Sequence, residues 1–148
     1  LTRQNVPSLS ASTPISAEAR RQGTLKGAYI ALHEQTEQPG RIIIASGSEV
    51  YLALEAAKQL GPDVRVVSMP SMWRFNRQEK AYRDLVLPPS CTRRLAVEAG
   101  KSDLWYRYVG TEGTIIGIDH YGFSAPGEVV LSELGMNVPN IVEKAQAL

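Results

Sequence analysis

The fold of this chain can be predicted from residues 41–70, which read RIIIASGSEVYLALEAAKQLGPDVRVVSMP. Three consecutive isoleucines at 42–44 are typical of a strand that is buried on both faces. A helix follows to about Leu60, and Gly61-Pro62 ends it. The apolar face of this helix is formed by Val50, Ala53, Leu54 and Ala57. Because 64–69 is again a strand pattern, the stretch predicts a crossover unit of a parallel sheet.

The rest of the chain continues this alternation. Apolar patterns predict further strands at 28–32, 95–99 and 114–118, and helices at 78–86, 103–108, 128–134 and 140–147. Tyr82 and Leu85 are expected to face inward from the first of these helices. We therefore predict a three-layer α/β domain over 27–148, with a five-stranded, mostly parallel sheet and helices on both faces. Residues 1–26 are predicted to be a linker or strap from the end of a preceding domain, with one helical turn at 18–21.

The composition excludes several classes of protein. The 148 residues include 16 Lys and Arg against 15 Asp and Glu, and a net charge of +1 argues against binding to nucleic acid or to an anionic membrane surface. One cysteine and two histidines exclude a disulfide framework and a cysteine- or histidine-rich metal centre. No apolar run approaches the length of about 18 residues that spans a bilayer. Because the chain opens with Leu1, we expect it to be part of a longer protein.

Candidate site residues follow the predicted parallel strands, since ligands of open α/β sheets bind at the carboxyl ends of the strands. The four segments at these ends are 46–49, 68–71, 98–101 and 119–122. The turn Ser46-Gly47-Ser48 is the strongest candidate for an anion site, because backbone N–H groups at a helix start can bind phosphate. We favour a structural cap, since Ser46 and Glu49 have capping-box spacing and Glu49 puts a negative charge where an anion would bind.

Other reactive side chains also have a structural and a functional interpretation. Glu98 is either a base or an interface acceptor, or it pairs with a nearby arginine such as Arg65 or Arg94; we favour the pairing. Asp119 and His120 point to opposite faces of a strand, so a solvated loop is favoured over a dyad. Cys91 is interpreted as a small buried side chain and not as a reactive thiol. The aromatic residues are interpreted as core or interface; they are Trp73, Phe75, Trp105, Tyr106 and Tyr108.

Several motifs, in order, resemble the C-terminal domain of transketolases over nearly the whole chain. They are LTRQN at 1–5, ASGSEV at 45–50, VRVVSMPS at 64–71, Tyr82-Arg83 followed by VLP at 86–88, AVEAG at 96–100 and GFSAP at 122–126. The resemblance implies a five-stranded sheet with one antiparallel strand. It also implies a cytoplasmic homodimeric parent enzyme that moves a two-carbon ketol unit between sugar phosphates with thiamine diphosphate and a divalent metal, Mg or Ca.

In that family the cofactor binds between two larger upstream domains, and no match to the family's G-D-G metal-binding segment occurs here. The resemblance therefore implies that this chain holds no catalytic, cofactor or metal residue, serves as a scaffold and dimer contact, and is inactive alone. One functional residue carries over, since the arginine of the Thr2-Arg3-Gln4 segment contacts the substrate phosphate in the family. Many relatives have an arginine where this chain has His120, so a contact made there is expected to depend on pH.

Two other functions remain open from the sequence. One is a free-standing α/β module that binds a small anion at the 46–49 turn. The other is the equivalent domain of a different thiamine-diphosphate enzyme, such as the pyruvate dehydrogenase β chain or deoxyxylulose-phosphate synthase. The segments Thr2-Arg3-Gln4 and Ser68-Met69-Pro70-Ser71 favour transketolase over both of these enzymes.

Overall fold

The computed structural model describes residues 7–120 and 127–148. The strands are β1 Tyr29–Leu32, β2 Arg41–Ala45, β3 Val64–Ser68, β4 Arg94–Val97 and β5 Thr114–Ile116. The helices are α1 Leu9–Ser12, α2 Ala17–Lys26, α3 Glu49–Leu60, α4 Met72–Asn76, α5 Lys80–Val86, α6 Tyr106–Val109, α7 Gly127–Glu133 and α8 Val138–Gln146, and a 3₁₀ turn spans Asp103–Trp105.

The strands form one sheet in the order β1-β3-β2-β4-β5. β2 lies at the centre and pairs in parallel with both β3 and β4, and β5 extends the parallel part beside β4. β1 is antiparallel to β3 and closes one edge. The predicted five-stranded sheet with one antiparallel strand is therefore confirmed.

The isoleucine run of β2 explains the three layers. Its side chains alternate between the two faces of the sheet, as the strand period requires. Ile43 packs with residues of α3 and α8 on one face, and Ile42 and Ile44 pack with residues of α4, α5 and α6 on the other. All three isoleucines are at most 1% exposed, so β2 is buried on both faces as predicted.

Residues 7–26 contain more helix than the single helical turn that was predicted. α2 runs for ten residues, its start capped by Ser16 Oγ, which accepts from Ala19 N at 3.1 Å. The Thr13 hydroxyl donates to Ala31 O of β1, and Leu9 and Ile15 pack against the core. Because α2 is mostly polar, it shows no apolar period by which it could be recognised.

One prediction about the segment between β3 and β4 is wrong, and one helix there was not predicted. Leu85 was expected to face inward, but it is 60% exposed, because α5 packs through Tyr82 and Val86, which are four residues apart. The sequence also did not predict α4, a five-residue helix between β3 and α5. Ser71 Oγ accepts from Arg74 N at the start of α4, so the helix is set by a local cap and the burial of Phe75.

Candidate functional site

The centre of the sheet contains a topological switch point. The chain leaves β2, forms α3 on one face and returns as β3; after β4 it forms the 3₁₀ turn and α6 on the other face. The connections after β2 and β4 therefore diverge, which opens a crevice outside their carboxyl ends.

Within this crevice Ser46 Oγ donates a hydrogen bond to Glu98 Oε2 at 2.7 Å. The predicted capping box of Ser46 and Glu49 is wrong, because Ser48 precedes the helix and no side chain caps it. Ser48 Oγ donates to Glu49 Oε1 at 2.5 Å, and Ser46 is engaged by the carboxylate across the crevice. The backbone N–H of Glu49 donates to the carbonyl oxygen of Ser46 at 3.1 Å, and so does not need the Ser46 hydroxyl as an acceptor.

Glu49 is a buried carboxylate, 4% exposed. Burial and the nearby negative charge of Glu98 raise the pKa of Glu49 above its ordinary value. The hydrogen bond from Ser48 lowers this pKa, but by less than burial raises it. The helix N-terminus offsets part of the negative charge. Two carboxylates lie beside the turn at 46–48, so a bound anion would be repelled there. This supports a structural role for Ser46, Gly47 and Ser48 over an anion site.

We expect Glu49→Gln to raise the melting temperature at pH 7. The folded state holds the Glu49 proton more tightly than the unfolded chain does, so stability falls as pH rises from the ordinary pKa of 4.5 through the raised value. Glutamine removes this loss, and the advantage of the variant should vanish below about pH 4.5.

Thermal unfolding from pH 3.5 to 8 measures this, with Glu55→Gln as the control on the same helix. The Glu55 carboxylate pairs with Lys58 at 2.6 Å near the surface, so its loss should lower the melting temperature slightly. A pH profile of Glu49→Gln parallel to the wild-type profile would contradict the assignment.

Glu98 does not pair with either predicted arginine. Arg65 binds Glu34, and Arg94 donates to four backbone carbonyl oxygens, those of Leu87, Pro88, Cys91 and Tyr108. Both arginines lie near the amino ends of their strands, and four residues of strand separate Arg94 from Glu98, about 13 Å. The opposite edge of the sheet is thus too far for an ion pair.

Three of the four predicted strand-end segments meet around one cleft of about 320 Å³. Its walls are Ser46, Met69, Pro70, Met72, Glu98, Gly100, Lys101, Leu104 and Trp105. Apart from the ammonium group of Lys101, the cleft combines one carboxylate and one hydroxyl with thioether, leucine and aromatic side chains. These groups can accept hydrogen bonds from a cationic group and contact its apolar stem.

The fourth segment lies beside the cleft. Asp119 is exposed, as the loop interpretation predicts, and its Oδ1 accepts from Ser102 N at 3.0 Å. That backbone bond lowers the pKa of the Asp119 carboxyl. Lys101 Nζ donates to Asp119 O at 3.0 Å, so it ties the two loops together. The last residues of this segment, and the GFSAP motif at 122–126, lie outside the described residues.

The other candidates fit structural roles. Cys91 is buried, and burial raises the pKa of its thiol, which leaves less of the nucleophilic thiolate. Phe75, Trp105 and Tyr108 are buried together, whereas Trp73 and Tyr106 are exposed. Across 7–120 and 127–148 no three His, Cys, Asp or Glu side chains are grouped as metal ligands. Nor does this part of the chain form a helix long and apolar enough to cross a membrane.

The Ser46–Glu98 contact was missed from the sequence, although the strand register contains a signal for it. Ala45 of β2 is paired with Val97 of β4, so the residues that follow each of them are neighbours. This becomes visible only once β2 and β4 are known to be adjacent. Arg3, the predicted phosphate contact, lies outside the described residues.

The fold and the switch-point cleft define an open, three-layer α/β domain with a mixed sheet. The sequence model of one family, the transketolase-like TK C-terminal domain, matches residues 27–137. The chain belongs to this family.

Named relatives agree with this assignment. The chain is 50% identical to a transketolase from Physarum polycephalum over 147 residues, which are 99% of this chain and 22% of the relative. A transketolase structure from Pichia stipitis, in complex with sedoheptulose 7-phosphate, is similar with a TM-score of 0.81 and 30% sequence identity. The similarity covers 98% of this chain and 20% of the Pichia stipitis chain. A Leishmania mexicana transketolase structure has a TM-score of 0.78 at 36% identity, over 86% of this chain and 18% of that one. The chain thus spans about a fifth of the length of the curated relatives it matches.

Proposed function

We propose that this chain is the C-terminal domain of a cytoplasmic, homodimeric transketolase that transfers a two-carbon ketol unit between sugar phosphates. The observation that carries the proposal is the match of nearly the whole chain to about a fifth of a transketolase. In this enzyme residues 1–26 connect the preceding domain to the α/β domain, which acts as a scaffold and dimer contact.

The described residues do not fit the thiamine diphosphate and divalent metal of such an enzyme. The strand-end cleft holds the carboxylate of Glu98, with that of Glu49 buried nearby, and these residues include no group of three metal ligands. The negative charges of these two carboxylates would repel a diphosphate. We therefore assign cofactor and metal to the upstream domains of the parent enzyme and derive no catalytic step in this chain.

Arg3 is the residue of this chain that we propose to contact substrate. A guanidinium stays charged and can donate two parallel hydrogen bonds to a phosphate. In the assembled enzyme such a charge-assisted contact contributes about 1.5–3 kcal/mol.

Steady-state ketol transfer by the full-length enzyme tests these assignments. Arg3→Ala should raise KM for phosphorylated sugars about tenfold to hundredfold, because the lost contact is a phosphate contact. KM for an unphosphorylated ketose should stay constant, and Arg3→Lys should recover part of the loss. The isolated 148-residue chain should give no turnover. An unchanged KM would refute the role of Arg3, and turnover by the isolated chain would refute the accessory role of the domain.

A further inference from the structure

The carboxylate of Glu98 lacks a cationic partner within the described part of the chain. None of the ion pairs formed between residues of 7–120 and 127–148 includes Glu98 or Glu49. Lys101 lines the same cleft, but its Nζ donates to the backbone oxygen of Asp119. Among the described residues, the negative charge of the switch point is offset by hydroxyl and backbone N–H donors and by a helix N-terminus, without a cationic side chain.

One oxygen of this carboxylate is free to accept a further donor. Ser46 occupies Oε2, whereas Oε1 accepts no hydrogen bond from the described residues. Gly100 keeps the approach to Oε1 open, because a Cβ at this position would lie 3.3 Å from that atom. A residue with a side chain would narrow the space beside the carboxylate.

The rim of the cleft has the composition of a protein interface. Leu104, which lines the cleft, is 70% exposed. Trp73, next to the cleft residue Met72, is 64% exposed and stacks against the Arg77 guanidinium at 3.6 Å from the ring centroid. Exposed tryptophan and leucine side chains around a polar centre are characteristic of surfaces that bind another polypeptide.

We propose that a polypeptide segment of the parent enzyme packs over this rim and inserts an arginine or lysine side chain that pairs with Glu98 Oε1. The proposal rests on the proposed function, because about four fifths of such an enzyme lie outside the sequence matched by this chain. A long cationic side chain fits the site because its apolar stem contacts Met69, Met72 and Trp105 while its charged end reaches the carboxylate. The exposed rim favours a polypeptide over a small free amine, which would leave Leu104 and Trp73 in water.

Amide hydrogen exchange on the full-length enzyme and on the isolated 148-residue chain tests the proposal. Amides of residues 98–104 should exchange about tenfold or more slowly in the full-length enzyme, because the segment covers them. Glu98→Gln should remove most of this protection in the full-length enzyme, and should leave exchange in the isolated chain equal or slower. Glu37→Gln, a neutralised exposed carboxylate in the β1–β2 loop, serves as the matched control and should change neither.

Melting temperatures separate docking from folding. In the isolated chain Glu98→Gln should leave the melting temperature equal or higher, since it relieves the repulsion between Glu98 and Glu49. Equal exchange in both proteins, protection that survives Glu98→Gln, or an equal effect of Glu98→Gln in the isolated chain would each overturn the proposal. Ketol transfer by the same full-length preparation is measured separately, so failure of the proposed function is distinguished from failure of the docking site.

Discussion

Arg65→Met should destabilise the domain by about 3–5 kcal/mol, because it leaves a buried carboxylate without its partner. Arg65 is 6% exposed and holds Glu34 through two bonds, from Nε at 2.8 Å and from Nη2 at 2.5 Å. Its Nη1 also donates to the carbonyl oxygens of Leu85 and Val86, at 2.7 and 3.1 Å. One guanidinium thus ties the loop after β1 to β3 and to the last turn of α5.

Urea unfolding at pH 7 measures the loss, with Arg21→Met as the matched control. Arg21 lies 3.6 Å from Glu18 in an exposed pair on α2, and its replacement should cost less than about 1 kcal/mol. The double variant Glu34→Leu/Arg65→Met should recover part of the stability, since no unpaired charge remains. If Arg65→Met cost no more than Arg21→Met, the buried pair would contribute little.

The pH dependence of the same variants provides an independent check. The hydrogen bonds from Arg65 lower the pKa of Glu34 below its ordinary value of 4.5. The unfolded chain therefore binds this proton more tightly than the folded domain does. The stabilisation is present above pH 4.5 and is lost as pH falls through the lowered value. In Arg65→Met this acid-induced loss should disappear.

The parts of the fold that were predictable are those in which neighbouring residues carry the signal. The isoleucines at 42–44 and the apolar face of α3 are local patterns, and both match the structure. The Glu34–Arg65 pair and the Ser46–Glu98 bond join residues 31 and 52 positions apart, and their partners depend on strand order and register. α2 lacks an apolar period, so its packing against β1 could not be predicted from the sequence pattern.

The cleft shows why the candidate site was predicted only in part. Parallel strands bring their carboxyl ends to one edge, so the grouping of segments 46–49, 68–71 and 98–101 followed from the crossover rule. The crossover rule did not predict the partner of Glu98. Arg94 is close to Glu98 in sequence, but the length of β4 separates them, so that they lie at opposite ends of the strand. The proposed phosphate contact of Arg3 was inferred from the family resemblance alone, and no local sequence pattern predicts it.

Gly27→Ala is the backbone substitution expected to have the largest effect. Gly27 ends α2 with φ +96°, a left-handed conformation that costs a residue with a Cβ about 1–2 kcal/mol. A Cβ here would also lie 2.4 Å from both Phe75 N and Ser71 O, so the start of α4 would have to move. Such overpacking typically costs a further 1–3 kcal/mol or so, and we expect a total loss of about 2–5 kcal/mol.

Gly47→Ala separates the two causes, since Gly47 also has a positive φ, +52°, and a Cβ there would meet only Glu49 Oε2, at 4.0 Å. It should show the conformational cost alone, about 1–2 kcal/mol, measured by urea unfolding. Only Gly27→Ala should also alter the near-ultraviolet circular dichroism, because Phe75 packs edge-on to Tyr82 with ring centroids 6.5 Å apart. Equal losses in the two variants would show that α4 yields without cost. A larger loss in Gly27→Ala would mean that the α2–α4 junction is rigid, and Met72 of α4 would then be held in place as a wall of the cleft.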